Sequence, residues 1–92
     1  MTGVDRVLPG ADLVEAGLKD LSQGIESAPA LLVSIGAPRL RRIGLDVPQP
    51  FPSPELRLYT LLQRTDGDAA HSKYNALIRR LVSFERAAEC AG

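Results

Sequence analysis

Tryptophan is missing from this chain, and histidine, cysteine and methionine occur once each. One cysteine, Cys90, rules out an intramolecular disulfide and cannot supply a multi-thiolate zinc site. His71 and that distal thiol together leave too few soft ligands for a structural metal, so no metal and no cofactor is expected. Charge of one sign is not in excess either: 11 basic residues balance 11 acidic ones, and no whole-molecule field draws the chain onto nucleic acid or a membrane. Long apolar runs are equally scarce. The longest, Ala28 to Ile35, is interrupted by Pro29 and Ser34 and falls far short of the ~20 residues that a membrane span needs. Met1 to Gly10 lacks the apolar run of a secretory leader, and a free thiol suits a reducing compartment. A cytoplasmic location is the expectation.

Catalytic signatures are also wanting. The eight glycines are scattered and never form a phosphate-cradling G-x-G-x-x-G or G-x-x-x-x-G-K loop. Adjacent His71 and Ser72 on a helix point about 100 degrees apart, so they cannot pair as base and nucleophile. Asp68 and His71, three apart, can meet on one helix face, which reads as a capping or surface pair. Asp66-Gly67-Asp68 lacks the further oxygens of a calcium loop. A non-enzymatic protein is expected.

What is present is helical punctuation over a length, 92 residues, that suits a single domain over 1–92. Met1 to Gly10 reads as a loose arm and residues 90–92 as a frayed tail. Val14, Leu18, Leu21 and Ile25 recur at helical spacing, predicting a first helix from Ala11 to Gln23 that stops at Gly24. Ser27 is a cap and Pro29 fits a first turn, predicting a short apolar helix through Ile35. Pro38 opens another short helix that Gly44 ends. Pro48, Pro50 and Pro52 make Leu45 to Pro52 an extended connector, since proline has no N–H and bars its predecessor from helical angles. Ser53-Pro54-Glu55 predicts a capped fourth helix to about Arg64, apolar over most of its circumference. Thr65 to Asp68 supplies a turn and cap. A long last helix, Ala69 to Glu89, carries Tyr74, Leu77, Ile78, Leu81 and Phe84 on a broad face that includes Val82 at its edge. The fold class is therefore all-α: a small single-domain bundle of four to five helices with a proline-rich connector. The first, fourth and last helices are expected to form its core, with the two short helices wrapping one side.

Arginine is the distinctive chemistry. Arg39, Arg41 and Arg42 fall within four positions, and from residue 31 onward nine basic residues face six acidic ones. Residues 1–30 reverse the balance, with five acidic and two basic. The first helix can thus lie against a basic face, or the halves can offer separate surfaces. A working surface of Arg39, Arg41, Arg42, Arg79 and Arg80 is expected, together with Phe51, which either plugs the domain's own groove or docks into another chain. These features point to a protein–protein interaction module, a homodimer or a small subunit of an assembly. The rival is a small nucleic-acid-binding regulator using the same basic surface. The short helices joined at Gly36-Ala37 have the outline of a helix-turn-helix, but the second is barely two turns long, short for base reading.

Overall fold

The computed structural model describes residues 7–91, and every regular element among them is helical. Helix α1 spans Ala11–Ser22, α2 Ala28–Ile35, α3 Ala37–Arg42 and α4 Pro54–Asp66; a 3-10 turn over Gly67–Ala69 leads into α5, Ala70–Ala91. The all-α bundle expected from the sequence is what forms. Residues 1–6 of the expected arm, and Gly92, lie outside the described residues. Helix α5 continues through Cys90, which is an exposed helical residue.

Local signals set most boundaries. Ser27 sits in the extended region and its Oγ accepts the Ala30 N–H at 3.2 Å; the same hydroxyl donates to Asp20 at 2.7 Å, tying the end of α1 to the start of α2. Gly24 and Gly44, both at positive φ, end α1 and α3 in the same way. In each case the N–H of the glycine and of the residue after it reach back to the last turn's carbonyls: Gly24 to Leu21 and Ile25 to Asp20, then Gly44 to Arg41 and Leu45 to Leu40. This is the Schellman pattern, which needs a left-handed residue at that point.

Two predicted caps fail. Ser53 adopts left-handed angles, φ 47 and ψ 51, and its side chain caps nothing. It joins α4 through its carbonyl instead, which accepts the Arg57 N–H. The turn predicted over Thr65 to Asp68 is shorter than expected, because α4 continues to Asp66 and the 3-10 turn hands the chain to α5. Asp68 caps neither element.

The core is organised differently from the expectation. Helix α2, and not α4, is its centre: Ala30, Leu31, Leu32, Val33 and Ser34 are consecutive and all buried, and α2 touches each of the other four helices. A short helix apolar on every side has no face to give to solvent and must be enclosed. Each fully buried Leu or Val contributes about 1.5–3 kcal/mol. Helix α4 buries only Leu58 and Leu62, one stripe at a spacing of four, and leaves Leu56 69% exposed. Ile25, expected on the core stripe, lies beyond the end of α1 and is also exposed. Close approach of α1 to α2 depends on Gly17, where a Cβ would collide with the Pro29 carbonyl oxygen and Val33.

Helix α5 has 22 residues, about 33 Å at 1.5 Å per residue, and accounts for the long axis of a 38 × 24 × 18 Å body. It packs mainly along α4, with lesser contacts to α2 and α1. Ala70, Leu81, Phe84 and Glu85 are its buried positions. The edge-to-face pair Tyr59–Tyr74, centroids 5.8 Å apart, joins α4 to its first half.

Candidate docking groove

The arginines singled out in the sequence are mostly occupied within the molecule. Arg39 grips Glu89 through a two-pronged pair, Nε to Oε2 and Nη2 to Oε1, both 2.8 Å, and its remaining Nη1 reaches Glu85 at 3.4 Å. Planar guanidinium matches carboxylate in this way and a lysine would not. Arg41 turns to the connector, where Nε and Nη2 both donate to the Val47 carbonyl at 3.2 and 2.6 Å. Arg80 pairs with Asp12 at the start of α1, 2.9 Å, and Arg57 with Glu26 at 2.8 Å. The acidic first third and basic remainder of the chain therefore neutralise each other in part across these contacts.

These side chains do not form one surface. At about 100 degrees per helical residue, Arg80 lies about 140 degrees from Glu85 and about 180 degrees from Glu89 around α5. Since Arg39 sits over Glu85 and Glu89, Arg80 belongs to the far side of that helix. Arg79 is exposed, its Nε 3.4 Å from the Asn75 carbonyl one turn earlier. Phe51 is half-buried against the core, and its N–H donates to Ser34 Oγ at 3.1 Å while that hydroxyl donates to Ala30. Val47, buried in the same connector, and the Arg41 contact pin the other end. Phe51 thus plugs its own domain.

What the structure brings together instead is a groove between α3 and α5. Gly36 and Pro38, where α2 passes into α3, open a hollow of about 290 Å³ with Ile35, Ile78, Leu81 and Val82 as its apolar floor and walls. A second hollow, about 450 Å³, lies next to Arg42, Ile43, Gly44, Ala88 and Glu89. Arg42 borders both. Their α5 walls are about seven residues apart, or about 10 Å along the helix. Hollows of this size sit at the low end of the roughly 300–1,000 Å³ of small-molecule sites.

Glu85 is the unusual residue here. It continues the stripe of Ile78, Leu81 and Val82, where packing alone calls for leucine, and is only 4% exposed. Its Oε2 lies close to Gly36, where an added Cβ would come within 2.9 Å. Burial raises the Glu85 pKa above its ordinary value; the Arg39 charge opposes that rise and the Glu89 charge adds to it. Glu89 moves the other way, lowered chiefly by the hydrogen bonds from Arg39 and further by the charges of Arg39, Arg42 and Arg86. A side chain at Gly36 would also crowd the Leu81 methyls, at 3.1 Å.

Elsewhere the chemistry is sparse. The His71 ring meets the Asn75 amide at 3.2 Å, one turn on, and not Asp68. Among the described residues there is no cluster of three metal-ligating side chains, and no helix is long and apolar enough to cross a membrane. Comparison with protein-family models, curated proteins and solved structures finds no match to this chain. The groove escaped the sequence reading, though one signal for it was present: a glutamate on the apolar stripe of the longest helix, in register with Ile78, Leu81 and Val82.

Proposed function

We propose that the protein is a non-catalytic interaction module of the cytoplasm, a small subunit of an assembly, and that the α3–α5 groove receives its partner. The observation that supports this reading is the groove itself: an apolar floor left open between two helices and bordered by charged side chains. Hydrophobic centre with a polar rim is the usual anatomy of a protein interface. The nucleic-acid reading ranks below it, because Arg39, Arg41 and Arg80 are spent on internal acceptors and a continuous basic stripe is what that reading needs.

The test is site-specific photo-crosslinking in the native host. With p-benzoylphenylalanine at position 82, a discrete cross-linked species is expected, and it should vanish when Ile78→Glu places a charge in the floor. A pattern at position 82 no different from that at exposed position 63 would refute the docking reading. A band at twice the chain's 9.9 kDa would assign the groove to a second copy.

A further inference from the structure

From the groove's unspent charge and shape, we infer that its occupant is an amphipathic helix of a different protein, carrying an apolar side chain for the floor and a carboxylate for Arg42. This inference rests on the docking reading above and adds the chemistry of the partner. Of the charged groups at the groove, Arg39, Glu85 and Glu89 already satisfy one another. Arg42 is exposed, borders both hollows and makes no ion pair among the described residues, its charge reaching Glu89 only at longer range. Its flank is reinforced by Arg86, close enough to Glu89 to lower that carboxyl. The uncommitted charge at the rim is therefore positive, and its complement is an acid.

Shape and floor select among acidic partners. The site is concave, so two copies whose two-fold axis ran through the groove would set hollow against hollow and fill neither; a second copy would have to present a different, protruding surface. A phosphate backbone would meet Arg42 but leave Ile35, Ile78, Leu81 and Val82 uncovered. A helix laid in the groove covers them, since residues one and two turns apart project on one face and match the ~10 Å between the hollows.

The experiment is an NMR titration of the 15N-labelled full chain with three alanine-based helical peptides of about 15 residues, long enough to hold a helix. Each carries leucine on one face and, four residues on, glutamate, glutamine or arginine. The glutamate peptide is expected to shift the amides of Gly36, Val82 and Glu85 and to bind about fivefold tighter than the glutamine peptide, the scale of one exposed ion pair. The arginine peptide should bind weakest. Arg42→Glu should invert the order, about 0.5 M salt should flatten it, and Arg79→Glu should leave it unchanged. Equal binding of all three peptides to the unaltered chain, or an unaltered order in Arg42→Glu, would defeat the acidic-partner inference while leaving the groove as a docking site. No groove shift from any peptide at about 1 mM would defeat both. Preferential shifts with a DNA duplex, or with the unlabelled chain itself, would replace the inference with the corresponding partner.

Discussion

Helices α2 and α5 divide the work of this small domain in opposite ways. Helix α2 has eight residues, no charge and almost no exposed surface; α5 has 22, runs the length of the molecule and shows solvent much of its circumference. Length and a persistent helical period make α5 the most visible element in the sequence, yet it is α2 that every other helix touches. Visibility in sequence measures how regularly a helix alternates between core and solvent. A helix wholly inside the core does not alternate, so the very absence of a polar face marks it.

Truncation in the two helices is the sharpest way to break this comparison. Leu32→Ala in α2 is expected to cost about 3–5 kcal/mol, since the leucine is fully enclosed and its cavity cannot collapse easily; Leu77→Ala in α5, half-buried, should cost about 1 kcal/mol. Urea denaturation followed by circular dichroism gives both values, and equal costs would refute the central placement of α2. Next in size is Gly17→Ala, which must force α1 off Pro29 and Val33. A loss of about 1–3 kcal/mol is expected, as for other overpacked sites, even though alanine favours a helix; a gain in melting temperature would show that the helices are not in such close contact.

Glu85→Gln gives the smallest effect and concerns the groove. Removing a buried charge while Arg39 keeps Glu89 should stabilise the chain at neutral pH by about 1 kcal/mol. The sign follows from the raised Glu85 carboxyl, which binds its proton more readily folded than unfolded, so its ionised form weakens the fold above that raised value. The advantage of glutamine should therefore shrink as pH falls toward the ordinary carboxylate range. Glu89 has the reverse linkage: its lowered carboxyl supports the fold above the ordinary value, and this support fades as pH drops through the lowered one. Denaturation midpoints of both proteins between neutral and acidic pH decide the matter, and a Gln variant less stable at pH 7 would contradict it.

Much of the fold could be read in advance because it is written locally. Ser27, Gly24, Gly44 and the prolines at 29, 38 and 54 each act on their own backbone or that of near neighbours, and the helix boundaries follow. Ser53 misled because a cap needs extended angles and this serine takes left-handed ones. The rank of the helices was misread, for Leu56 to Leu62 holds more large apolar residues than Leu31-Leu32-Val33 but interrupts them with Arg57 and Thr60. The candidate site was legible in residue type and not in arrangement. Arg39 and Arg41 stood out, but their acceptors, Glu89 and the Val47 carbonyl, become neighbours only once the chain has folded. Arg42 shows no difference from them in sequence and is the one left unspent.

The connector held by Arg41 and Ser34 carries one last consequence. It is a non-helical stretch, turned at Gln49 by a φ of 44, and non-helical backbone with free N–H groups is where a foreign β-strand can add and start aggregation. Pro48, Pro50 and Pro52 offer no N–H, and that of Phe51 is already given to Ser34. A passing strand therefore finds few backbone donors there with which to build a ladder.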